Sequence, residues 1–185
     1  MYKMDFNVDN YYKLIAPRPT VCVSTIDEND ISNVAPYSFA TPLSFNPPLL
    51  GISVGEGKDT IQNAKKSGDF VVAPLTKSWM REGIKSEISV ESDISEFEEV
   101  ELTESESGDV KSPSIKEAPI NIECIYEKDL ETGDHQLLVG KVVNISAKEN
   151  AIKDNRINLE KLGSVGHITG EEFSVTNNSV LIDRK

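Results

Sequence analysis

The sequence predicts a mainly β protein: a closed antiparallel barrel with a few short helices. Three observations lead there. Six or more segments carry the alternating or β-branched pattern of strands. Most of these are joined by short, turn-rich links, and the helical segments are few. No internal repeat and no long linker divides the chain, so residues 1–185 read as one domain.

In chain order, "PTVCVSTI" (19–26) alternates and is rich in β-branched residues, a strand. "DENDIS" (27–32) is a hairpin turn, and a second strand starts near Asn33. Residues 33–55 hold no charged side chain and are broken by Pro36, Pro42, Pro47 and Pro48. Their first and last parts read as strands, the latter "PLLGISV" (48–54), with a proline-punctuated loop between them. "KDTIQNAKKSG" (58–68) is a short helix, capped by Asp59 or Thr60 and closed by Gly68. "DFVVAPL" (69–75) is a strand and 76–86 a short helix. "APINIECIYEKDL" (118–130) alternates, "TGD" turns, and "HQLLVGKVVNISAK" (135–148) returns as a long strand with a bend at Gly140. A helical turn over 157–163 and a short strand over 179–182 complete the list.

Composition bounds the function. A chain of 185 residues buries roughly 70% of its unfolded surface, so it folds without disulfides or metal. Cys22 and Cys124 stand alone in apolar runs as buried thiols, and two histidines supply no clustered metal site. No basic start precedes an apolar run, and no stretch reaches the length of a membrane span, so the reading is cytoplasmic. The net charge is −12, and residues 82–109 carry eleven acids against Lys85. Such a balance repels phosphate backbones, which argues against nucleic acid. That window reads as a solvated surface excursion.

Segment 33–55 carries the chemistry. Its polar groups are neutral and short (Asn33, Ser38, Thr41, Ser44, Asn46) and stand beside Tyr37, Phe39 and Phe45. That combination suits a flat, apolar heteroaromatic ring with polar edges. "SVGEGKDT" follows: two glycines for close backbone approach, Lys58 for charge, and a helix N-terminus for phosphate. The order is a ring site followed by a phosphate site. The plainer alternative is a core strand pair with an ordinary capped helix.

"APRPTVCVSTIDENDISNVAPYSFATPLSFNPPLLGISV" with "KDTIQNAKKSGDFVV", then "SEFEEVELT", "SPSIKEAPINIEC" and "GDHQLLVGKVV", resembles the flavin reductase-like family. The resemblance implies a Greek-key split β-barrel that binds FMN at or near the interface of a homodimer. It places Asn33, Ala35, Pro36, Tyr37, Ser38, Phe39 and Thr41 around the isoalloxazine, with Ser38 and Thr41 hydroxyls among the donors to its pyrimidine edge. Ser53, Lys58 and Thr60 match positions near the ribityl phosphate. Arg18 adds a second positive charge or is a surface arginine held by its flanking prolines. His135 matches a position at the nicotinamide or flavin edge and is the candidate catalytic residue. The implied activity is hydride transfer from NAD(P)H to flavin; the alternative is a flavoredoxin-like electron carrier reduced by a protein partner. "SVGHITGEEF" (164–173) departs from the family pattern, and His167 there reads as a loop or interface residue, the alternative being a contribution to the flavin or substrate site.

Overall fold

The computed structural model describes residues 5–88, 90 and 94–183. A 3-10 helix, Val8–Leu14, precedes β1 (Arg18–Pro19), β2 (Val21–Ile26), β3 (Ser32–Tyr37), β4 (Ala40–Phe45) and β5 (Pro48–Gly55). Helix α1 (Asp59–Ser67), β6 (Asp69–Pro74), α2 (Met80–Lys85), α3 (Glu96–Glu99), β7 (Glu104–Ser105) and β8 (Ser114–Ile115) follow. The long strands β9 (Ile120–Glu131) and β10 (His135–Ala147) lead to β11 (Ile152–Lys153), β12 (Arg156–Ile157), α4 (Leu159–Leu162), β13 (Ser164–Thr169) and β14 (Glu172–Thr176).

Seven strands pair antiparallel in the order β3-β2-β6-β9-β10-β5-β4. The two edge strands are consecutive in the chain, with Ser38 and Phe39 alone between them. So short a link spans on the order of 10 Å, so the far edges of the sheet must meet and the sheet curls into a barrel. At the seam the Ser53 amide donates to the Phe39 carbonyl at 2.8 Å.

Segment 33–55 is therefore strand throughout much of its length, and the expected proline loop is β4. Pro36 sits opposite Cys22 on β3, and Pro42 opposite Leu50 on β4, where a register shift follows before Ser44. Both strands are sheet edges, where a missing N–H breaks no central ladder.

Strand β2 is buried on both faces. Val21 and Val23 point into the barrel with Ile52, Val54, Phe70, Val72, Cys124 and Leu138. Cys22 points outward into a second core with Val34, Leu75, Trp79, Phe97, Val100, Leu102, Ile115 and Val165. The acidic window supplies Phe97, Val100 and Leu102 to that core, so it is not simply a solvated excursion; its residues 89 and 91–93 lie outside the described residues. Buried Glu123 accepts from the Gly108 and Asp109 amides, and Asp69 from those of Lys111 and Ser112, which pins the following loop to the barrel.

Helix α1 ends as expected, with Gly68 at φ 84°. Gly140 sits at a register shift between β9 and β10, as its place in the pattern predicted. The C-terminal reading needs correction. Residues 177–183 form no strand, and Val180, Leu181 and Ile182 are exposed. The regular structure lies earlier, in the β13–β14 hairpin, which joins β1 as a small second sheet. That sheet is tied to the barrel by a ring of backbone hydrogen bonds: Leu75 N–H to Thr20 O, Thr20 N–H to Val165 O, and Val165 N–H to Leu75 O, at 2.9, 3.2 and 3.1 Å. Among the described residues, no helix is long and apolar enough to cross a membrane.

Candidate functional site

A cavity of about 500 Å³ opens where β3, the end of β5, the start of α1 and the start of β10 converge. It is lined by Arg18, Asn33, Ala35, Pro36, Tyr37, Ser38, Phe39, Ser53, Lys58, Thr60 and His135. Eleven of the twelve residues expected from the sequence thus meet in one place. Thr41 does not: it is exposed on β4, and its hydroxyl donates to the Pro42 carbonyl. Tyr12, Glu87, Glu96 and His167 also line the cavity and were not among the expected site residues.

Arg18 is not the surface arginine that its prolines allowed. It is 7% exposed. Its Nη1 donates to the Tyr12 carbonyl at 2.7 Å and its Nη2 to the Ile168 carbonyl at 3.1 Å. The guanidinium lies 5.6 Å from the Tyr12 ring centre and 5.7 Å from that of Phe39, within cation–π range. Among the described residues no carboxylate pairs with it, and its Nε has no hydrogen-bond partner. A buried cation with no counter-ion favours an electron-rich or anionic ligand beside it.

His167 comes from β13 to the same corner. Its Nε2 lies 3.0 Å from the Gly170 carbonyl, which can only accept, so Nε2 carries the proton. Nδ1 is then an acceptor, 3.1 Å from both Arg18 Nη2 and Ser38 Oγ. The ring stacks on Phe173 at 4.8 Å. Ser38 therefore spends its proton on His167. With Thr41 outside, neither hydroxyl expected to donate to a ring edge is free to do so; backbone amides remain for that role.

His135 pairs across the sheet with Gly55 and stacks on Phe39 at 5.8 Å. Its Nδ1 lies 2.7 Å from the exposed Asp134 carboxylate, whose pKa is lowered chiefly by that hydrogen bond. This leaves Nε2 as the ring nitrogen without a hydrogen-bond partner among the described residues.

The opposite wall is a relay. Tyr37 Oη lies 2.8 Å from Thr60 Oγ1, Thr60 Oγ1 donates to Asn33 Oδ1 at 3.3 Å, and Asn33 Nδ2 donates to Glu96 Oε1 at 2.8 Å. Glu96 Oε2 accepts from the Val34 amide at 3.4 Å. Burial is the main reason that the Tyr37 phenol is pushed up to about 12 and that the Glu96 carboxyl lies above its ordinary value. Lys58 is the N-cap of α1, exposed, without an ion pair among the described residues, and gives no side-chain cap bond. The first-turn amides of α1 thus remain available to an acceptor from outside.

Comparisons with known proteins agree with this fold. The flavin reductase-like domain family matches residues 14–161. An uncharacterised protein of Halalkalibacterium halodurans is 33% identical over 95% of this chain and 91% of its own length. The crystal structure of nitrilotriacetate monooxygenase component B from Bacillus cereus superposes with a TM-score of 0.87 at 30% identity, covering 98% of both chains. A split barrel domain protein from Shewanella frigidimarina superposes at 0.86 and 18% identity, over 97% of this chain and 94% of that one, a likeness of fold. The chain belongs to the flavin reductase-like domain family and has a split-barrel architecture.

Proposed function

We propose that the protein binds FMN in the 500 Å³ cavity and passes hydride from NAD(P)H to it. The observation that carries this reading is the convergence of an apolar, aromatic ring site and an uncapped helix N-terminus with a free lysine in one cavity. The volume falls within the roughly 300–1,000 Å³ of ligand pockets. The residues fit the group: Lys58 and the α1 amides for the phosphate, Gly57 at φ 77° for close backbone approach, and Ala35–Phe39 with Ser53 and Arg18 for the ring. FMN supplies the redox chemistry when bound, by accepting hydride and passing electrons on.

The protein's part is to hold and orient. Phe39, stacked on His135 and crossed by Arg18, gives the ring site a rigid aromatic floor. His135, with its Nδ1 tied to Asp134, offers Nε2 to orient the reductant or hold a proton. A second cavity of about 760 Å³, lined by Met80, Ile84 and Phe173, shares Pro36, Tyr37, Ser38 and His167 with the first and gives room for a second substrate. The likeness to a monooxygenase component supports an oxygenase as consumer of the reduced flavin.

The test is anaerobic mixing of FMN-loaded protein with NADH and with NADPH while flavin absorbance is followed. Rapid bleaching by either is expected. No bleaching of a flavin that dithionite reduces would replace this reading with that of an electron carrier served by a protein partner. Extraction and chromatography of the cofactor should return FMN; FAD alone would overturn the phosphate assignment.

A further inference from the structure

Thr60 has one hydroxyl proton, and it goes to Asn33 Oδ1, which can only accept. Tyr37 must therefore donate to Thr60. Asn33 is held in that orientation because its amide nitrogen donates to Glu96. Every proton along Tyr37, Thr60 and Asn33 runs the same way, toward one buried carboxylate.

We propose that Glu96 is a positioning residue that sets the donor polarity of the cavity wall, so that Tyr37 and Thr60 meet the ligand with acceptor oxygens and select a group that brings its own hydroxyl or N–H. This rests on the flavin reading and deepens it. The group that suits such a wall is the polyol chain of the flavin nucleotide, or a ring N–H, and not its phosphate. A dianion beside Glu96 would be repelled, which sends the phosphate toward Lys58 and the α1 amides and relieves the Thr60 side chain of the phosphate role.

Glu96→Gln keeps the shape and removes the charge. The new amide can donate to Asn33, flip it, and reverse the relay so that the Tyr37 proton faces the cavity. FMN affinity, read by fluorescence quenching, should fall about tenfold, the size of one hydrogen bond. Wild-type affinity should also fall as pH drops through the raised Glu96 range, since protonation has the same effect. Other charges face the site: Asp59 and Lys58 on α1, Glu87 after α2, Asp27 in the β2–β3 turn, and Glu104 on β7 through Ser32 and Ser95. These remain in the variant, so the part of the pH step missing in Glu96→Gln belongs to Glu96.

Unchanged affinity with an unchanged pH profile overturns the proposal. If Glu96→Gln does not fold, Thr60→Val decides instead: it cuts the relay with Glu96 in place, should abolish the step, and overturns the proposal if the step survives. A wild-type protein that takes up no FMN overturns the flavin reading separately. The relay is then read in the protein without ligand, where the Asn33 side-chain amide resonance should follow a carboxylate titration that is absent in Glu96→Gln; no response overturns the relay.

Discussion

Lys58 is the one cation at the phosphate end of the cavity that no neighbour claims among the described residues. Reversing it should tell where the phosphate sits. Lys58→Glu is expected to weaken FMN binding by one to two orders of magnitude, from charge-assisted bonds of roughly 1.5–3 kcal/mol. Circular dichroism should be unchanged, because Lys58 is exposed and caps nothing with its side chain. Titration with FMN reads the outcome, and equal affinity would move the phosphate elsewhere. Glu96 makes a different prediction. Its carboxyl is shifted upward, chiefly by burial, so the folded state holds that proton more tightly than the unfolded chain does. The stability this gives is full below the ordinary carboxylate range and is lost as pH rises through the raised value. Glu96→Gln should therefore be more stable than wild type at pH 7, with the gap closing on acidification; urea titrations at several pH values measure it. A site residue that lowers stability at working pH fits a functional constraint on the position.

At the scale of elements, Gly140 shows how tightly the barrel is filled. A Cβ there would lie 2.3 Å from Phe70 Cζ and 2.9 Å from Cys124 Cβ. Both neighbours are fully buried, so neither can retreat. Gly140→Ala should cost about 1–3 kcal/mol, read as a lower urea midpoint with an unchanged slope. The bend at Gly140 was legible because a glycine inside a long strand pattern has few other uses. The central strands β2, β6, β9 and β10 were legible because their β-branched or alternating patterns are local and bounded by turn residues. β4 was not, because its prolines imitate a loop, and nothing local says that a strand lies on an edge. β13 and β14 were hidden by Gly166 and Gly170, while the apolar "SVLI" drew the strand assignment to a segment that pairs with nothing among the described residues. The site divides along the same line. Residues 33–60 were readable because they are contiguous: 33–55 carry no charge in an otherwise charged chain, and Lys58 with the start of a helix follows directly. Glu96 was masked by the acids around it. Arg18 and His167, 149 positions apart, share a corner that no spacing rule reveals.

At the scale of the molecule, many large apolar side chains stand in solvent, and the most exposed of them fall in three segments. Phe6, Val8, Tyr11, Leu14 and Ile15 lie around the N-terminal 3-10 helix, Leu43 and Phe45 on β4 with Phe45 97% exposed, and Val180–Ile182 in the tail. Exposed apolar side chains of this size mark an interface where they cluster, and we propose a two-fold homodimer that covers them. Light scattering across a dilution series should report a dimer, and Phe45→Asp with Leu43→Asp should shift it toward monomer while the fold is kept. A wild-type monomer at all concentrations would overturn this, and retention of FMN by the double variant would show that one chain suffices for the cavity.

The ring formed by Thr20, Leu75 and Val165 has a kinetic meaning. Each of the three residues gives its N–H to the next and takes one from the last, and two of the three bonds reach Val165 on β13. Deuterium should therefore enter the Thr20 and Val165 amides at one common rate, set by detachment of β13 from the barrel, while the Leu75 amide, bonded to Thr20 O beside the paired β2 and β6, is not released by that step. That detachment also removes His167 from Ser38 and Arg18. The slow uptake at two unremarkable amides would thus time how often the cavity loses its far corner, and a ligand that holds the corner closed should slow both by the same factor.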